Sequence, residues 1–224
     1  LFSIVNSTII PGSFLKKIKK LAINYHDSLL PQFAGVNATP WALLSRSQKH
    51  GITWHVITER ADEGDIILQK HFSLTPEDTT VSVRTTCKNL AMSTFPVLVE
   101  QLMENSFTLV PQNLQDRTYY GLSKKPYGNA LISWESPALD ILTLHKALTF
   151  GNVINVLALP KFVGKDNIYF PFYVENTSNQ SKEPPGTITK IGETHISVSS
   201  VTNDILIADL VTIDGKRISL SDFI

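Results

Sequence analysis

An amide and an imidazole stand two residues apart in Asn24-Tyr25-His26, so on an extended chain both project to the same side. A carboxylate, Asp62, follows the apolar stretch 52–57 in the acidic turn Ala61-Asp62-Glu63-Gly64-Asp65. Asn, His and Asp brought to neighbouring strand ends form a constellation for proton transfer and oxyanion stabilisation. His26 and Asp62 would be the acid/base pair, and Asn24 either a hydrogen-bond donor or an orienter of the imidazole. A histidine beside an apolar strand is also commonly a hydrogen-bonded structural residue. His55 has that reading too, or it orients the Asp62 loop. Ser28 either orders the turn after His26 or touches the site. Zinc ligation by His26, His55 and Asp62 fits no compact ligand spacing, so no metal is expected.

The elements that must position these residues follow from periodicity and punctuation. Residues 1–5 read as a buried strand. Pro11 opens a helix with Phe14, Leu15, Ile18 and Leu21 on one face and four lysines, a solvated face, on the other. A short strand over 21–23 leads into the Asn24 motif. Thr39-Pro40 starts a helix over 40–50 that Gly51 would stop, strands follow over 52–58 and 66–74, and Thr79 or Thr80 caps a long helix to about 105. Pro96 should kink or divide that helix. Alternating strands and helices predict an α/β fold with a mostly parallel sheet over 1–110 and ligands beyond the carboxyl ends of its strands. Residues 111–138 lose periodicity and read as a connector lying on the first domain. Ser136 or Pro137 starts a helix that stops at Gly151, and short strands follow over 168–174, 187–191, 195–201, 205–213 and 216–220, predicting a small β-barrel domain over 139–224.

Twenty Lys or Arg balance 20 Asp or Glu, so no net field favours a membrane or a polyanion. Residues 111–224 hold ten Lys or Arg against eleven Asp or Glu, so the second half is not a basic arm for tRNA. The single Cys87 excludes a disulfide framework and fits a cytoplasmic setting. The chain reads as part of something longer.

The text Asn24-x-His26-x-Ser28-Leu29-Leu30-Pro31, then Gly35, then Gly51-Ile52-Thr53-x-His55, then Asp62-x-Gly64-x-Ile66 resembles the hallmark of the folate-dependent formyltransferases in order and spacing. The likeness is specific over 21–75 and weaker at Arg117-Thr118-Tyr119-Tyr120 and Pro185-Gly186-Thr187-Ile188. In look it is nearest the formylation domains of nonribosomal peptide synthetases. Asp27 departs from the pattern, where many members carry another residue, often proline.

The resemblance implies a partial Rossmann-like catalytic domain whose first strands would precede Leu1, then an OB-like barrel. It also implies formyl transfer from 10-formyltetrahydrofolate to a primary amine, with Asn24, His26 and Asp62 catalytic. Asn24 and charged His26 would meet the formyl oxygen. Asp62 would hold His26 charged and receive the amine proton, directly or through water. The pteridine would lie against Ile4, Val5, Asn6 and Ser7 and against Glu59, Arg60, Ala61 and Glu63, with Ser28, Gly35 and His55 in support. The favoured acceptor is an aminoacyl thioester on a carrier-protein domain. Methionyl-tRNA, an amino-sugar nucleotide, water (a formyl-folate hydrolase) and a catalytically silent interaction module are the alternatives.

Overall fold

The computed structural model describes every residue except Ser7, Lys165, Asp166 and residues 220–224. Contacts divide the chain into two units, Leu1–Lys124 and Lys125–Ile224.

The first unit runs β1 (Phe2–Ser3), α1 (Gly12–Leu15), β2 (Ile23–His26), β3 (Ala34–Gly35), α2 (Ala38–Leu44), β4 (Lys49–Val56), β5 (Ile66–Ser73), α3 (Thr80–Glu104) and β6 (Tyr119–Tyr120). Its main sheet has the order β1-β2-β4-β5, and β3 pairs with β6 separately. The expected mostly parallel sheet is instead mixed. Only β1 and β2 run parallel in it, while β2–β4 and β4–β5 are antiparallel. The helix between β2 and β4 misled the expectation. α2 is seven residues long, and the chain then enters β4 at the end where β2 finishes, with His26 opposite Thr53. Between β4 and β5 no helix carries the chain back across the sheet, so the pair must be antiparallel.

Several boundaries shift for physical reasons. β2 extends through His26 rather than stopping at residue 23. The helix expected over 40–50 ends at Leu44, because Gly51 serves a strand: a Cβ there would lie 2.0 Å from the Lys70 carbonyl oxygen of β5. The strand over 1–5 reduces to Phe2–Ser3, with Val5 at φ 52 and 87% exposed. The helix from Pro11 is only four residues long. α3 is one 25-residue helix, not two, with Pro96 inside it. Thr79 caps it reciprocally with Ser82: the Thr79 hydroxyl accepts from the Ser82 N–H at 3.1 Å, and the Ser82 hydroxyl from the Thr79 N–H at 3.0 Å.

β4 is buried on both faces, and its alternation divides the labour. Trp54 turns to α3, where its indole N–H donates to the Thr94 hydroxyl at 2.9 Å. Thr53 lies on the other face, hydrogen-bonded to Ser28, Leu30 and Gln69. Since Asn24 pairs with His55 and His26 with Thr53, these four share that second face.

In the second unit, α4 (Ala138–Leu148) is followed by β7 (Phe162–Val163), β8 (Ile168–Gln180), β9 (Ile188–Ile191), β10 (His195–Val198) and β11 (Asn203–Thr212). They form one antiparallel sheet ordered β7-β8-β11-β10-β9. Ile141 of α4 shares a core with Val174, Ile196, Ile205, Ile207 and Leu210 of the sheet. Among the described residues the sheet is open, not the closed barrel expected. The strand expected over 216–220 is reduced to an isolated bridge between Val211 and Arg217, and Leu220 falls outside the described residues. No helix among the described residues is long and apolar enough to cross a membrane.

Candidate active site

Asp62 closes onto the face of β2 and β4 that carries Asn24, His26 and His55. Its backbone is left-handed (φ 59), which turns the loop after β4 back on itself. Oδ2 accepts the Gly35 main-chain N–H at 2.8 Å and lies 3.8 Å from His26 Nδ1, and Oδ1 lies 3.5 Å from His55 Nε2. Burial alone would push this carboxyl up. The His55 hydrogen bond, the His26 charge, the Gly35 N–H and the His55 charge outweigh it and hold the group at about 2.

His26 is 6% exposed, and its Nε2 donates to the Phe33 carbonyl at 2.9 Å. A carbonyl only accepts, so Nε2 carries hydrogen in either charge state and Nδ1 is the nitrogen that gains and loses a proton. At 3.8 Å from Asp62, Nδ1 is paired by charge without being committed to a direct hydrogen bond.

His55 is fixed the same way, with Nδ1 donating to the Val56 carbonyl at 2.9 Å. Its Nε2 lies between two partners. In the neutral ring it accepts from the Asn24 amide nitrogen at 3.2 Å, and in the charged ring it donates to Asp62. Asn24 thus meets His55 Nε2 only when the ring is neutral. Ser28, fully buried, donates to the Gln32 carbonyl at 2.7 Å and orders the turn.

The described residues expected along the pteridine have partners other than Asn24, His26 and His55, although Ala61 and Glu63 flank Asp62 in its loop. Ile4 and Val5 are exposed, and Asn6 folds onto Thr8 through both atoms of its amide. Ser7 lies outside the described residues. Glu59 faces Lys16 at 3.7 Å, Arg60 faces Glu63 at 3.6 Å, and the Ala61 carbonyl accepts from Arg117 at 3.1 Å.

Sequence reasoning gave no site role to the stretch 110–120. Gln112 Nε2 donates to the Asp62 carbonyl at 3.0 Å and the Gly64 carbonyl at 2.7 Å. Thr118 takes the Phe33 N–H on its hydroxyl at 2.8 Å and the Ala34 N–H on its carbonyl at 2.9 Å. The cluster Arg117-Thr118-Tyr119-Tyr120 was visible as text, but Gln112 carried no local signal.

Residues 5–99 match the formyl transferase family and residues 126–224 the formyl transferase C-terminal domain. The chain is 26% identical over 217 residues to a methionyl-tRNA formyltransferase of Alkaliphilus oremlandii, covering 96% of this chain and 67% of that one. It is 27% identical over 215 residues to the enzyme of the same name from Mycoplasma capricolum, covering 95% and 65%. It thus spans about two thirds of these relatives' length. Among solved structures, HypX from Aquifex aeolicus in complex with tetrahydrofolic acid superposes with TM-score 0.77 at 14% identity, over 99% of this chain and 37% of that one. An N-formyltransferase from Helicobacter canadensis, in complex with folinic acid and dTDP-3-aminofucose, gives 0.68 at 19%, over 92% and 72%. These likenesses carry the fold alone. With the two family matches lying in order along nearly the whole sequence, the chain belongs to the formyltransferase family.

Proposed function

We propose that the protein transfers a formyl group from 10-formyltetrahydrofolate to a primary amine. The observation that carries this reading is the convergence of His26, His55 and the Gly35 N–H on the Asp62 carboxylate, with Asn24 held beside them. The neutral amine nitrogen attacks the formyl carbon and charge grows on the formyl oxygen. The bond from that carbon to N10 of the folate then breaks, N10 takes a proton and the new amide nitrogen loses one.

His26, charged at Nδ1 and anchored at Nε2, donates to the developing oxyanion, and an Asn24 N–H donates beside it. A group held at about 2 stores a proton poorly at neutral pH. The main task of Asp62 is therefore to balance the imidazolium, and the amine proton leaves past it to water. Glu59, Arg60, Ala61 and Glu63, with Ile4, Val5 and Asn6, are the residues that the family resemblance offers for the donor's pteridine. No step calls for a metal ion.

The acceptor favoured by the sequence is the amino group of a carrier-bound aminoacyl thioester in a cytoplasmic peptide synthetase. One observation favours a second acceptor, methionyl-tRNA: the curated relatives aligned over 95–96% of the chain carry that name. Purified protein given 10-formyltetrahydrofolate and, separately, an aminoacyl carrier protein, Met-tRNA and an amino-sugar nucleotide should formylate the first. Formylation of tRNA alone would replace that acceptor, and failure with every amine would remove the transferase reading.

A further inference from the structure

We infer that Gln112 and Arg117 are positioning residues for the transfer step, holding the Asp62 loop in its working geometry from outside the strands that bear the other site residues. The inference rests on the transferase reading above for its kinetic consequence.

Asp62 holds a left-handed conformation that a non-glycine residue keeps only when its surroundings over-determine it. Besides the Gly35 N–H and the two imidazoles on its carboxylate, two side chains of one connector hold its main chain and flanks. Gln112 spans the carbonyls of Asp62 and Gly64 with its two amide hydrogens. Arg117 donates from Nη2 to the Ala61 carbonyl, and its Nε lies 3.7 Å from Glu63 Oε1. The carbonyls of Asp62 and of the residue before it are thus both held, and Glu63 just after it is paired by charge. The connector itself is registered by a two-way backbone bridge between Ile66 and Val110, at 2.8 and 2.9 Å.

The same stretch fixes the opposing loop. Thr118 holds Phe33 and Ala34, and the Tyr120 carbonyl accepts the Val36 N–H at 2.8 Å. That loop supplies the Phe33 carbonyl that anchors His26 and the Gly35 N–H that meets Asp62. Residues 110–120 therefore set the spacing between the two loops whose atoms meet at Asp62 Oδ2. A displacement of ~1 Å between reacting groups can cost ~10²-fold in rate.

The test uses the full chain carrying Gln112→Leu, with Arg117→Lys as the milder variant should the first unfold and Gln112→Glu, whose carboxylate would face the same two carbonyls, as the harsher one. Two quantities are read: kcat and KM with an amine the wild type formylates, and titration of the 13C-labelled Asp62 carboxyl, assigned with Asp62→Asn. For Gln112→Leu or Gln112→Glu we expect kcat to fall roughly tenfold or more, with KM for the amine changed less than about threefold. The Asp62 carboxyl should protonate nearer its ordinary 3.8 than about 2. Arg117→Lys, which keeps the charge facing Glu63, should retain more activity than Arg117→Ala. Unchanged Asp62 titration in a folded Gln112 variant overturns the inference whatever happens to kcat. So does a loss of kcat that merely tracks the unfolded fraction. Should the wild type formylate no amine, the transferase reading fails, while the titration still decides whether Gln112 positions Asp62.

Discussion

The Gly35 N–H donates to Asp62 Oδ2 at 2.8 Å, so one backbone-to-side-chain hydrogen bond joins the segment after β2 to the loop after β4. Gly35 sits at φ 97, and a Cβ there would lie 2.2 Å from the Tyr120 carbonyl oxygen. Gly35→Ala must therefore move the backbone that makes this bond. It should cost on the order of 1–3 kcal/mol of stability by urea denaturation, and lower kcat at least tenfold as the carboxylate loses its donor.

His26→Ala and Asp62→Asn should each reduce formyl transfer by ~10²–10³ while leaving the circular dichroism spectrum unchanged. In the proposed transfer step, His26→Ala removes the proton donor and Asp62→Asn the charge that balances it. Turnover within a few-fold of wild type in either purified variant would rule out the assigned roles.

His50, 1% exposed, gives stability a pH dependence. The Thr39 hydroxyl donates to Asp27 at 3.2 Å, so it accepts from His50 Nε2 at 3.3 Å. Nδ1, where a second proton would go, is buried and without a hydrogen-bond partner. Burial pushes His50 down to about 4, against the opposing pull of Asp27 and with the help of His26. Between the ordinary 6.5 and about 4 the unfolded chain binds the extra proton and the folded chain does not. Stability should therefore fall as pH drops through that window, by on the order of 2–3 kcal/mol. His50→Gln should flatten this slope in urea denaturation midpoints measured from pH 7 to 4.

Thr94→Val should destabilise the first unit by about 1–3 kcal/mol, because the isosteric methyl leaves the buried Trp54 indole N–H unpaired. Thermal unfolding followed by tryptophan fluorescence reads this directly, and a shift no larger than that of an exposed control such as Met103→Leu would contradict it.

Where local chemistry decides an outcome, the sequence was readable. The two-residue spacing of Asn24 and His26 puts both on one face because β2 runs through them, Ile23–His26. Thr79 caps α3 because Ser82, three residues on, can both donate to it and accept from it. Strand direction was a different matter, since a seven-residue helix between two strands has the same pattern whether the chain crosses over or turns back. Gly51 shows the ambiguity at one residue: the missing side chain that would end a helix is also what a close strand demands, and only Lys70 across the sheet decides. The grip of Gln112 on carbonyls about 50 positions earlier leaves no periodic trace.

Left-handed backbone at Phe33 (φ 56), Gly35 (φ 97) and Asn37 (φ 57) bears on how this protein can be evolved in the laboratory. β-Branched side chains are excluded from such conformations far more strongly than Gly, Asn or Asp. A randomised library spanning 33–37 would therefore lose Val, Ile and Thr at these three positions for want of a foldable loop, before any screen for a new acceptor began. Diversity aimed at acceptor choice belongs outside this stretch.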